Sequence, residues 1–139
     1  MLARLRRVAR EMDLPFGERT MTYNSRLAQE LGKWAEDQAH GDAFHQAVFL
    51  AYFQDGKNIA RHSVLLDICH AIGLDGTAAQ RVLERREYSQ AVDRDWELSR
   101  QLGIAAVPTF VLGGRQLVGA QAYSALESLV KSAGIDARR

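Results

Sequence analysis

The apolar residues of this chain recur first with a helical period and only near the end with a period of two. Leu2, Leu5, Ala9 and Met12 return every three or four positions, which predicts an amphipathic helix whose other face carries arginines. Leu14-Pro15 stops it, because a proline ring disfavours helical geometry in the residue before it. Phe16–Met21 reads as a short strand. Asn24 is placed to cap the next helix by accepting from an orphan backbone N–H. Leu27, Leu31, Trp34, Ala35 and Gln38 share one face of that helix.

Beyond Gly41-Asp42, Phe44, Ala47, Val48, Ala51 and Tyr52 form one stripe, while Phe49, Leu50 and Phe53 fill most of the remaining circumference. A helix apolar nearly all round has to be covered on several sides, which places it at the centre of a helical subdomain or at an interface. Asp55-Gly56-Lys57-Asn58 turns the chain. Val64, Leu65, Ile68, Cys69 and Ile72 predict the following helix, closing near Gly73. Thr77-Ala78-Ala79-Gln80 has the reciprocal capping pattern and predicts a short helix beginning at Thr77. A further helix from near Glu87 carries Tyr88, Val92, Trp96 and Leu102 until Gly103 stops it, with Trp34 and Trp96 read as packing residues or one of them as lining a groove above Pro108.

The period then changes. Thr109–Leu112 and Arg115–Val118 are strand-like, and Gly113-Gly114 suits the positive φ angles of a two-residue hairpin turn. Ala122, Leu126, Leu129, Val130 and Ala133 predict a closing amphipathic helix that ends at Gly134.

Composition narrows the function classes. At 139 residues the chain fits a single domain with a sizeable core. Its net charge of +1 supplies no bulk attraction to nucleic acid. No apolar run approaches the roughly 20 residues of a membrane helix. Residues 1–10 are basic, but arginines interrupt the apolar middle that a secretory signal requires. Cys69 is the one cysteine, which excludes an intrachain disulfide and a cysteine-based zinc site and points to a cytoplasmic setting. It shares a helix face with Leu65, Ile68 and Ile72, the environment of a packing thiol. His70 lies about 100° away around the helix, badly placed to activate it. His40, His45, His62 and His70 lack the i, i+4 pairing of a helical metal site. No catalytic residue, metal or cofactor is therefore assigned.

Several words of the sequence, in order, resemble the DsbA-like thiol–disulfide oxidoreductases, especially the FrnE-like branch and its relatives the 2-hydroxychromene-2-carboxylate isomerases. Tyr23-Asn24-Ser25-Arg26-Leu27-Ala28 is similar to the point where that family passes into its inserted helical domain. Phe49-Leu50-Ala51-Tyr52-Phe53 with Gly56 and Asn58-Ile59 resembles the next helix and turn, and Val64-Leu65 through Gly73-Leu74-Asp75 the helix after that. Val107-Pro108-Thr109-Phe110 with Gly119-Ala120-Gln121 resembles the cis-proline strand and the start of the closing helix.

The resemblance implies an α/β fold of thioredoxin-like, DsbA type, covering residues 1–139 as one domain. Residues 1–23 and 103–139 would form the thioredoxin-like core portion and 24–102 the helical insertion. It implies that Val107, Pro108 and Thr109 hold a protein or small-thiol substrate, Val107 through its backbone and Pro108 by fixing the direction of that backbone. The chain departs from the family in carrying no Cys-x-x-Cys, so the core sheet is expected to be N-terminally incomplete. The gap would be filled by a second copy in a homodimer or by further N-terminal sequence. Three functions follow as expectations: an oxidoreductase-family protein, a non-catalytic peptide- or thiol-binding module, and a glutathione-dependent isomerase or transferase relative. Neither nucleic acid nor membrane is expected as a partner.

Overall fold

A computed structural model describes residues 2–18 and 21–135. The helices are α1 (Leu2–Glu11), α2 (Arg26–Asp37), α3 (Gly41–Phe49), α4 (His62–Ala71), α5 (Gly76–Arg85), α6 (Ser89–Gln101) and α7 (Tyr123–Ser132), with strands β1 (Thr109–Leu112) and β2 (Arg115–Val118) between the last two. The chain divides into two compact units, Met1–Arg94 and Asp95–Arg139, the division falling inside α6.

In the first unit α2 packs against α3, α4 and α5. Its apolar stripe supplies Ala28, Leu31, Trp34 and Ala35, and these meet Phe44, Leu65, Cys69 and Leu83 in one cluster. Fully burying a side chain the size of Phe44, Leu31 or Leu65 contributes about 1.5–3 kcal/mol each, and this cluster holds the unit together. Leu27, expected on the same face, is partly buried, while Gln38 is exposed beyond the end of α2.

Three local expectations are corrected here. Asp75, not Thr77, caps α5: its carboxylate accepts from the backbone N–H groups of Thr77 and Ala78 at 2.8 and 3.1 Å. Aspartate is as good a cap as threonine, and its extended backbone at φ −65°, ψ 110° is the geometry a cap needs. At α2 the helix starts one residue later than Asn24 as cap requires, yet the Asn24 Oδ1 still accepts from the N–H of Arg26 at 2.8 Å. The strand expected at Phe16–Met21 is not formed in its described residues, Arg19 and Thr20 lying outside them. Ladder partners define a strand, and here the Gly17 N–H donates instead to the Phe53 carbonyl at 2.8 Å.

The aromatic helix also departs from regular geometry. After α3 the backbone widens into a π-helical segment, Leu50–Gln54, in which the Asp55 N–H reaches back to the Leu50 carbonyl at 3.0 Å. A π segment leaves carbonyls without their usual donors. Lys57 N–H takes the Ala51 carbonyl at 2.8 Å, and Gly17 N–H takes that of Phe53. Only Phe44 and Ala51 of this stretch are buried; Phe49 is 57% exposed.

The second unit is built on the β1–β2 hairpin. Its antiparallel register pairs Thr109 with Val118, Phe110 with Leu117, Val111 with Gln116 and Leu112 with Arg115. Gly113 and Gly114 have φ of +56° and +74°, the two positive angles that the tight hairpin turn demands and glycine adopts without strain. The closing helix α7 contacts β2. Trp96, expected to pack, is 43% exposed, and none of the described residues of this unit is buried.

Candidate functional site

The loop from Gly103 to Pro108 joins α6 to β1, and its last residues are held from several directions. The Thr109 Oγ1 donates to the Ala106 carbonyl at 2.6 Å, closing the loop on itself. The Gly119 N–H donates to the Pro108 carbonyl at 2.7 Å, tying the approach to β1 against the end of β2. The Gln116 amide donates to the Leu102 carbonyl at 2.6 Å, fixing the other end of the loop to β2. Gln121 donates from Nε2 to the Val118 carbonyl at 2.7 Å and secures the turn into α7. The Val107–Pro108 peptide is cis.

Within this frame Val107 stands 88% exposed. Among the described residues neither its N–H nor its carbonyl takes a hydrogen-bond partner. β1 is paired only to β2 in the described sheet, so its opposite edge carries ladder groups of the kind an extended peptide can pair with. Val111 and Val118 on the same hairpin are exposed. The three residues expected to hold substrate, Val107, Pro108 and Thr109, thus form one surface of pinned main chain.

Cys69 lies in the other unit, sealed at 0% exposure between Leu65 and Ile68 of α4 and the rest of that core. Burial pushes its thiol up to about 11, so the nucleophilic thiolate is scarce at neutral pH. Among the described residues no three His, Cys, Asp or Glu side chains gather as a metal ion would require. No described helix is long and apolar enough to cross a membrane.

The periodicity missed a buried ionic cluster. Glu30 sits on the packed side of α2 at 1% exposure. Arg26 donates from Nε to it at 2.6 Å, and Arg86 donates from Nε and Nη2 at 2.7 Å each. Arg26 reaches on to Asp93 at 2.7 Å and to the Ser89 carbonyl at 2.8 Å, which joins α2 to α6. The forked bonds from Arg86 hold the Glu30 carboxyl below the usual carboxylate range, against the opposing effect of burial. The only signal was the Arg26–Glu30 spacing of four; Arg86 is distant in sequence and held by a left-handed backbone at φ +53°.

Comparison with known proteins gives likenesses of three kinds. The profile of the DSBA-like thioredoxin domain matches residues 1–131. "Uncharacterized protein YwbO" of Bacillus subtilis (strain 168) is 32% identical over 108 residues, 75% of this chain and 52% of that protein. The chain therefore spans about half the length of this curated relative. Among solved structures, a 2-hydroxychromene-2-carboxylate isomerase superposes with a TM-score of 0.78 over 95% of this chain and 63% of that one, at 22% identity. At that identity the likeness is one of fold.

Proposed function

Because the chain belongs to the DSBA-like thioredoxin domain family, we propose that it supplies the substrate-holding part of a FrnE-like thiol–disulfide oxidoreductase. An extended peptide or small thiol lies against Val107-Pro108-Thr109, pairing with the main chain of Val107 while the side chain of Thr109 keeps the loop closed. The observation that carries this reading is the exposed main chain of Val107, which has no hydrogen-bond partner among the described residues and leads into β1, a strand paired to β2 alone in the described sheet. Thiol–disulfide exchange needs an attacking thiolate. Cys69, buried and with its thiol pushed up to about 11, is not that group. The attack belongs to a cysteine pair that this sequence does not hold.

The same sealed thiol favours a second reading, a peptide- or thiol-binding module that turns nothing over. The isomerase likeness supports the fold only, and no isomerase activity is carried across. Insulin reduction by dithiothreitol, followed with and without the chain, tests the division of labour. The rate is expected to be the same in both, and unchanged again with Cys69→Ser. Acceleration by the chain that disappears in Cys69→Ser would overturn both readings, since Cys69 would then be the working nucleophile.

A further inference from the structure

The first unit contains a pocket of its own. It encloses about 400 Å3 between the approach to α2, α3 and the π-helical segment. That is within the range of roughly 300–1,000 Å3 in which small molecules are bound. Its apolar wall comes from Tyr23, Val48, Phe49, Tyr52, Phe53 and Ile59. Its polar lining includes Thr22, Ser25 and Gln29, and among the described residues no lysine, arginine, aspartate or glutamate lines it. Among the described lining residues His45 supplies the one imidazole, beside the phenols of Tyr23 and Tyr52, and its Nε2 lies 3.1 Å from the Glu36 carboxylate.

The aromatic rings are ordered by one another. Tyr52 and Phe53 meet edge to face at 4.8 Å and 84°, Tyr23 and Tyr52 at 6.4 Å and 76°, and Phe49 lies 6.2 Å from Phe53 at 31°. Aromatic pairs prefer such tilted and edge-to-face contacts, so a further ring entering between them continues the same packing. The wall that carries Tyr52 and Phe53 is the π-helical segment, held in shape by the bonds from Gly17 and Lys57 to its carbonyls. A ligand therefore meets a preformed surface and orders little on binding.

From this pocket we propose a binding site within the first unit for a small, flat, uncharged aromatic molecule. Among the described lining residues an anion or cation finds no fixed carboxylate, ammonium or guanidinium to offset its lost hydration, which is costly in an apolar site. A neutral ring system loses little and buries both faces.

The test uses the neutral fluorescent probe N-phenyl-1-naphthylamine with the full chain. Its emission is expected to rise and shift to the blue with saturable one-site binding. Phe49→Ala removes a rim ring that is 57% exposed, so the fold tolerates it, and affinity is expected to fall about tenfold. Val48→Trp fills the pocket and is expected to weaken binding at least as much. Methyl resonances of Ala28, Val48 and Ile59 should move during titration of the unaltered chain, which keeps the test sound if Val48→Trp misfolds. Unchanged affinity in Phe49→Ala, or shifts confined to Val107 through Val118, would overturn the assignment. So would competition by anionic 1-naphthoate as effective as that by naphthalene. These readouts lie in the first unit, so their failure leaves the reading of the Val107 loop intact.

Discussion

Glu30→Ala should destabilise the first unit by about 2–3 kcal/mol, a magnitude that follows from the surroundings of the carboxylate. Removing one partner of a fully sealed ion pair costs about 3–5 kcal/mol, because a charge is left buried and uncompensated. Here both arginines have an escape. The Arg86 side chain is 48% exposed and can turn to water, whereas that of Arg26 is only 16% exposed but keeps Asp93 and the Ser89 carbonyl. The penalty therefore falls below the sealed limit, yet above the roughly 1 kcal/mol of an ordinary hydrogen bond. Urea unfolding followed by circular dichroism at neutral pH reads it directly.

The pH dependence supplies an independent check. Glu30 is held below its unfolded value, about 4.3 for a free glutamate, first by Arg86 and then by Arg26. A depressed acid stabilises the fold fully above the unfolded value and loses that contribution as pH falls through the folded one. The gap between the unaltered chain and Glu30→Gln should accordingly be widest near neutrality and shrink below about pH 4. A Glu30→Ala chain within about 0.5 kcal/mol of the original, or a gap that does not change with pH, would refute the role given to the cluster.

Three further outcomes are expected. Gly17→Ala places a Cβ onto the Gln54 carbonyl oxygen, a backbone atom that cannot swing aside, and should cost about 1–3 kcal/mol and speed amide exchange at Asp55. Asp75→Ala removes the acceptor for two first-turn amides of α5 and should lower stability by about 1 kcal/mol in the same urea experiment. Cys69 should resist iodoacetamide at neutral pH in the folded chain and react readily in urea, and Cys69→Ser should cost about 1–3 kcal/mol by placing a hydroxyl in an apolar core.

The hairpin and closing helix were legible because each element there is specified locally. Gly113-Gly114 fixes the turn, so the strand-like runs Thr109–Leu112 and Arg115–Val118 pair across it. Leu31, Leu65 and Cys69 were equally legible, since a repeated apolar spacing has one face to bury. What escaped the sequence depends on partners far along the chain. Glu30 looks like a surface residue until Arg86 folds against it, and Phe16–Met21 looks like a strand although Gly17 is engaged by Phe53. The π-helical segment was hidden for the same reason: its residues have helical spacing, and only the bonds from Asp55, Lys57 and Gly17 reveal the wider turn. At the loop before β1 the words Val107-Pro108-Thr109 marked the proposed site through resemblance alone. The bonds from Gly119 and Thr109 that pin it had no pattern to read in advance.

The central claim is that the main chain at Val107 is where an extended substrate binds. Titrating the 15N-labelled chain with a short cysteine-containing peptide, and again with its serine counterpart, tests this most directly. The amides of Val107 and Thr109 should shift first and furthest, while those around Cys69 stay in place. Shifts gathered at Cys69 and α4, with Val107 and Thr109 unmoved at saturation, would contradict it.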